Sequence, residues 1–174
     1  MRLALFFLFV SYISVNAQRK DIEVDIGDSF PAFELKNLNN KTVTLEDLKG
    51  KVIFLNTWFN GCKPCVEEMP ELNKLSNKYK DRVLFLSMTL DNKEETKEFL
   101  KTHPYNFEHL VDAEPFLKDV LGSKAYPRNI IIDRNGKIQF ITYGLPHIKR
   151  PEDKEPIMSD FTFFEKPLLK VLSL

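Results

Sequence analysis

Cysteine is almost missing from this chain of 174 residues, which holds two. Histidine is scarce, with three, and net charge is absent, 25 basic residues standing against 25 acidic ones. Each shortage excludes something. Cancelled charge removes the electrostatic case for nucleic acid or an anionic membrane surface. A zinc site needs about four ligands, commonly two cysteine pairs or one pair with two histidines. His103, His109 and His147 share no short ligand spacing, so no metal is expected, and no other cofactor. Internal repeats and low-complexity tracts are lacking too. The run from Leu3 to Val10 is apolar, but Ser11, Tyr12 and Ser14 break it, short of the ~20 apolar residues a membrane-spanning helix needs.

That same run, after the positive start Met1-Arg2 and before the small-residue pattern Val15-Asn16-Ala17, has the layout of a secretory signal peptide. The expected organisation is therefore a signal peptide over residues 1–17 and one domain over 18–174, exported and periplasmic. No cysteine follows the run, which argues against a lipoprotein anchor. An uncleaved anchor or a buried N-terminal strand stays open, and the membrane enters only if the segment is retained. The remaining length suits one domain with its own core, expected as a monomer.

The hydrophobic pattern predicts an α/β order. Leu35 to Asn37 and Lys41 to Leu45 read as a hairpin around the polar turn Leu38-Asn39-Asn40. A short helical turn stops at Gly50. Val52 to Phe59 is a continuous apolar run, short and rich in β-branched and aromatic residues, as in a strand buried on both faces. Val66, Met69, Leu72, Leu75 and Tyr79 then recur at helical spacing, with Pro70 expected to kink the helix. Val83 to Met88 is a second buried strand, making a strand–helix–strand unit with parallel neighbours. A helix over Glu94 to Thr102 follows, its charged run Asp91 to Glu98 read as a solvated face. Then come a short edge strand over Phe107 to Val111 and a helix over Glu114 to Leu121. Asp133-Arg134-Asn135-Gly136 joins two strands of a hairpin, 129–132 and 137–143. A proline- and charge-rich loop spans Pro146 to Asp160, and a helix from Phe161 to Leu172, interrupted at Pro167, closes the chain.

Both cysteines lie in the stretch WFNGCKPC, Trp58 to Cys65, between the first buried strand and its helix. A bridge between Cys62 and Cys65 closes a very small loop. It stabilises less than the ~3 kcal/mol expected of a 15-residue loop, so the pair is a poor staple. Residues three apart on a first helical turn share one face, so the sulfurs can meet. Unpaired N–H groups and the positive end of the macrodipole favour a thiolate there. Lys63 adds positive charge, and Pro64 falls where a missing N–H does least harm. The chemistry this favours is thiol–disulfide exchange, with Cys62 attacking and the more buried Cys65 resolving. Its partners would be protein thiols or disulfides and an upstream thiol electron donor.

Trp58 through Pro70, WFNGCKPCVEEMP, resembles the active-site segment of exported thioredoxin-fold reductases of the TlpA/ResA type, within the redoxin and thiol-specific antioxidant superfamily. The segment GDSFPAFELKNLNNKTVTLEDLKGKVIFLNTW resembles their N-terminal hairpin and first core strand. YPRNIIIDRNGKI resembles their proline loop and following hairpin. The resemblance covers most of residues 26 to 144 in order. It implies a thioredoxin-like fold: a central mixed sheet flanked by helices, with an N-terminal β-hairpin extension. It implies a nucleophilic Cys62, a resolving Cys65 and, at Glu68, a carboxylate that helps move the proton of the buried cysteine. By itself Glu68 reads equally as a solvated helix residue. Pro127 matches a loop proline that is cis in such proteins, an ordinary trans turn proline being the alternative. With Tyr126 and Trp58 it would form the substrate-binding surface. The substrate classes implied are apocytochrome c and miswired disulfides.

Three positions depart from the pattern. Gly61 stands where relatives often hold tryptophan, Tyr126 and Arg128 flank the loop proline, and the 146–160 loop is long. Arg128 is open to three readings: steadying the Cys62 thiolate, receiving an acidic substrate, or facing solvent. Two other functions occur on thioredoxin-like folds, the first within the same superfamily. A peroxiredoxin-like peroxidase would want threonine three residues before its cysteine, where this chain has Phe59. A Sco-type copper carrier would want cysteines four apart and a histidine before the late hairpin, where this chain has Lys124-Ala125-Tyr126-Pro127.

Overall fold

Hydrophobic alternation and turn chemistry arrange the chain into twelve regular elements among the residues described by the computed structural model, 23–149 and 151–174. The expected signal peptide, residues 1–17, and the start of the mature chain at 18 lie outside the described residues. In chain order the elements are β1 (Glu34–Asn37), β2 (Thr42–Thr44), β3 (Val52–Trp58), α1 (Lys63–Tyr79), β4 (Val83–Thr89) and α2 (Lys93–Leu100). Then follow β5 (Glu108–Val111), β6 (Arg128–Ile132), β7 (Ile138–Thr142), β8 (His147–Ile148), β9 (Ile157–Met158) and α3 (Thr162–Leu172).

Seven strands form one mixed sheet in the order β2-β1-β5-β4-β3-β6-β7. β3, β4 and β5 run parallel, and β6 and β7 return antiparallel beyond β3. The expected edge strand is therefore internal. The N-terminal hairpin lays β1 antiparallel along β5, pairing Lys36 with Val111 and Asn37 with Leu110. The loop expected over 146–160 holds a small ladder, His147 opposite Met158 and Ile148 opposite Ile157. The break expected at Pro167 is absent, since α3 runs through it, and α1 likewise continues through Pro70 as one helix. The segment after β5 closes as a single π-type turn, Phe116–Val120. Among the described residues, no helix is long and apolar enough to cross a membrane.

All seven residues of β3 are buried, because α1 and α3 cover one face of the sheet and the 116–121 segment with Phe30 and Phe33 covers the other. Side chains alternate between these faces. Phe54, Asn56 and Trp58 point toward α1, while Ile53, Leu55 and Thr57 point away. The same alternation sends Asn129 and Ile131 of β6 toward α1 and turns Arg128, Ile130 and Ile132 from it. Phe54 anchors the α1 side, with the rings of Phe164, Phe85 and Phe107 centred 5.0, 5.7 and 6.1 Å away.

Phe54→Ala removes the ring that joins α3 to the sheet. The expected loss is about 3–5 kcal/mol, read as a lower urea midpoint with an unchanged slope. A loss under about 1 kcal/mol would mean the core closes over the gap.

Candidate active site

The chain leaves β3 at Trp58 and turns at once into α1. Asn60 N–H donates to Asp91 Oδ2 (2.7 Å), and Cys62 N–H donates to the Phe59 carbonyl (3.0 Å). Cys62 is then the N-cap of α1, in extended conformation, and its Sγ accepts from the N–H of Cys65 (3.3 Å). Pro64 sits in the first turn, which contains no acidic residue. Cys62 and Cys65 are joined as a disulfide, with Cα atoms 5.3 Å apart. Both are buried, 5% and 1% exposed, so in this oxidised form Cys62 is only slightly the more accessible.

Lys63 contributes less than expected. Its side chain extends into solvent with Nζ 3.7 Å from Glu67 Oε1, so a neighbouring carboxylate and water both screen its charge. The helix end adds its own positive field at Cys62.

Glu68 is no solvated helix residue, at 1% exposed. It lies three positions after Cys65, on the same face of α1. Asn56 Nδ2 donates to its Oε1 (2.9 Å), Asn129 Nδ2 lies 3.2 and 3.3 Å from its two oxygens, and Leu145 N–H donates to Oε2 (3.0 Å). Burial pushes the carboxyl from its ordinary 4.5 up to about 7, against the hydrogen bonds of Asn129, Leu145 and Asn56, which hold it down. A group that ionises near neutrality beside a cysteine pair suits proton transfer there.

Gly144 makes the Leu145 contact possible. It has φ +75°, and a Cβ there would meet Pro127 Cγ at 3.2 Å and Glu68 Oε2 at 3.6 Å. A side chain at 144 would strain the backbone and crowd both neighbours.

The other expected site residues divide. The Tyr126–Pro127 bond is cis. Tyr126 is half-buried and meets the Phe59 ring edge-on, centroids 5.6 Å apart, against the cluster that contains both cysteines. Trp58 is corrected. It is fully buried, its indole N–H donating to Ser87 Oγ (3.2 Å), so its side chain offers a partner no surface. Arg128 is corrected too. It is 1% exposed and donates to the carbonyls of Leu121 (3.0 Å) and Val24 (3.1 Å), with Tyr143 stacked at 5.7 Å. It ties the proline loop to the N-terminal segment and faces neither thiol nor solvent.

A second buried chain runs behind Trp58. His109 Nε2 lies 3.0 Å from the carbonyl of Tyr105, which only accepts, so this nitrogen carries the proton. Nδ1 is then the acceptor, and the Ser87 hydroxyl donates to it at 2.6 Å. Burial pushes His109 down to about 4, so the ring is neutral at ordinary pH.

Sequence reasoning did not single out Asn56, Asn129, Tyr105, Gly144 or Leu145. One signal was present: Asn56 stands inside a run expected to be buried on both faces, where an unpaired amide is costly.

Comparison with known proteins places these features in context. Residues 26–141 match the AhpC/TSA family. The chain is similar to thioredoxin-like protein YneN of Bacillus subtilis strain 168, 31% identical over 158 residues, covering 86% of this chain and 92% of that protein. It is similar to thiol-disulfide oxidoreductase ResA of Bacillus cereus, 32% identical over 154 residues, covering 87% and 83%. A solved chain assigned as the thiol:disulfide interchange protein DsbE of Chlorobium tepidum superposes with TM-score 0.68 at 31% identity, covering 86% of this chain and 99% of that one.

Glu68 and His109 give the oxidised protein opposing pH dependences. Between 4.5 and about 7 the folded chain holds a proton on Glu68 that the unfolded chain has released, so rising pH lowers stability through that window. Between about 4 and 6.5 the unfolded chain holds a proton that folded His109 lacks, so rising pH raises stability there. Glu68→Gln isolates the first effect. Wild type is expected to lose about 3 kcal/mol relative to the variant between pH 4.5 and 7.5, measured by urea unfolding of the disulfide form. A pH-independent difference would place the Glu68 titration at its ordinary value.

Proposed function

The chain belongs to the AhpC/TSA family, and from that premise we propose that it is an exported thiol–disulfide oxidoreductase that reduces protein disulfides through the Cys62–Cys65 dithiol. The observation carrying this reading is the cysteine pair itself, at the N-cap and first turn of α1, with a buried carboxyl one helical turn below. Relatives named as thiol-disulfide oxidoreductase and thiol:disulfide interchange protein support the same chemistry.

In the reductive direction, the Cys62 thiolate attacks one sulfur of a substrate disulfide. The substrate S–S bond breaks, a Cys62–substrate disulfide forms, and the departing thiolate takes a proton. Cys65 then loses its proton to the Glu68 carboxylate and attacks Cys62 Sγ. This releases the second substrate thiol and leaves the Cys62–Cys65 disulfide, two electrons having passed to the substrate. An upstream dithiol restores the pair by the reverse exchange. The half-buried Tyr126 and the loop backbone before the buried Pro127 form the surface on which an extended substrate segment lies. The N-terminal run supports export, and the resemblance to TlpA/ResA-type reductases supports a periplasmic role in cytochrome c maturation or disulfide repair. The peroxidase alternative gains nothing from Phe59, whose ring packs on Tyr126 and brings no hydroxyl near Cys62.

Equilibrating residues 18–174 against thiol–disulfide buffers and counting alkylated thiols by mass tests the direction. A couple near thioredoxin's ≈ −270 mV is expected, and one near the ≈ −120 mV of DsbA would make the protein an oxidant. Cys65→Ser should accumulate a Cys62-linked mixed disulfide with a disulfide-bonded substrate, and Cys62→Ser should form none. Absence of any reversible two-electron couple would end the oxidoreductase reading.

A further inference from the structure

Every neighbour of the Glu68 carboxyl donates to it. Asn56 spends one amide hydrogen on Glu68 Oε1 and the other on Asn129 Oδ1 (2.9 Å), while Asn129 Nδ2 faces both carboxyl oxygens. Leu145 N–H completes the shell. Among these partners no acceptor faces a protonated carboxyl, because both amides turn Nδ2 to it, Asn129 Oδ1 lying toward Asn56 and Asn56 Oδ1 toward the hydroxyl of Tyr105 (2.9 Å).

Asparagine does not impose this polarity. A side-chain amide turned over about its last bond exchanges acceptor for donor with little change of shape. Turned over, Asn56 would present Oδ1 to Glu68 and accept the carboxyl proton, and its NH₂ would point at Tyr105. What opposes that state is the phenol, whose hydrogen needs an acceptor and finds it in Asn56 Oδ1. Tyr105 is itself well fixed. It is buried, its ring packs on Phe107 at 4.4 Å and against Trp58 at 6.0 Å, and its carbonyl takes the His109 N–H. Burial and the Glu68 charge keep its hydroxyl protonated, well above the usual phenol range.

We propose that Tyr105 is a positioning residue for Glu68: by donating to Asn56 it locks the Asn56–Asn129 pair in the orientation that offers the carboxyl only donors. Burial favours the protonated group, and the donors held by the lock oppose that, easing its ionisation to a base for Cys65. Once Glu68 takes that proton, it sits as an acid with no acceptor and readily gives the proton up. This inference rests on the reading that Glu68 handles the proton of Cys65.

The titratable and charged groups around Glu68 are Cys62 and Cys65 on its own helix, Tyr105 on the loop before β5 and His109 behind it. Arg128 lies on the opposite face of β6. β3 contributes Asn56, and the 143–145 turn contributes a backbone N–H.

The test is Tyr105→Phe in the oxidised full domain, where neither cysteine titrates, with the Glu68 carboxyl followed by carbon-13 NMR and assigned through Glu68→Gln. The midpoint is expected to rise by about one pH unit, about a tenfold fall in the ionised fraction well below it. In the reduced variant the resolving step should show the same alkaline displacement of its pH profile and recover the wild-type rate at high pH. An unmoved Glu68 midpoint, or a rate lowered equally at every pH, overturns the proposal. If Tyr105→Phe does not fold, the wild-type chain decides. The Asn56 amide protons should show NOEs to Asn129 and none to the Tyr105 ring, and the reverse pattern sinks the proposal. Full activity in Glu68→Gln would remove the role of Glu68 in turnover and leave the titration result standing, so the two claims fail separately.

Discussion

Moving a carboxyl group out of water costs several kcal/mol unless donors meet it, and that cost organises the centre of this protein. Glu68 points inward from the second turn of α1, and three separate segments send it N–H groups: Asn56 from β3, Asn129 from β6 and the backbone of Leu145 after β7. Each contribution depends on something further away. The Asn56–Asn129 pair is possible because β3 and β6 are in register with those two residues directly opposite. Leu145 reaches the carboxyl only because Gly144 adopts a positive φ in a space with no room for a side chain.

The sulfur chemistry is placed by the same strand. β3 ends at Trp58, and its burial against α1 fixes where the helix begins and so which residue becomes the N-cap. Cys62 therefore meets the unpaired N–H groups of the first turn. Cys65 and Glu68, at successive three-residue steps, descend one helical face into the core. Helical periodicity sets the three on one face, and packing of the sheet and α3 against that face buries Cys65 and Glu68 to 1% exposure, with Cys62 at 5%.

Where expectation and structure part, tertiary neighbours are the cause. Trp58 ends a strand, and strand ends commonly reach the surface, but α2 supplies Phe99 with its ring 5.1 Å away and Ser87 takes the indole N–H. Arg128 carries a charge that normally seeks water. It is instead buried, its two terminal nitrogens donating to the carbonyls of Leu121 and Val24. β5 is short enough to read as an edge strand, yet the N-terminal hairpin covers it. Leu121 apart, none of these covers is near in sequence to what it covers.

Local chemistry was legible in the chain. The strand–helix–strand unit follows from periodicity, the 133–136 turn from its Asn-Gly pair, and the meeting of Cys62 with Cys65 from a spacing of three at a helix start. Each depends on residues within a few positions of one another, for which backbone geometry is nearly a function of sequence. The surroundings of Glu68 were not legible, nor was the burial of Trp58 and Arg128. Apart from the Arg128–Leu121 bond, seven positions apart, those depend on contacts 12 to 104 positions apart along the chain, which exist only once sheet order and register are set. The sequence by itself determined that two thiols would meet at a helix end. Only the folded sheet decided that a carboxyl would lie buried one turn below them, ringed by donors, because burial and donor placement are properties of packing between distant segments.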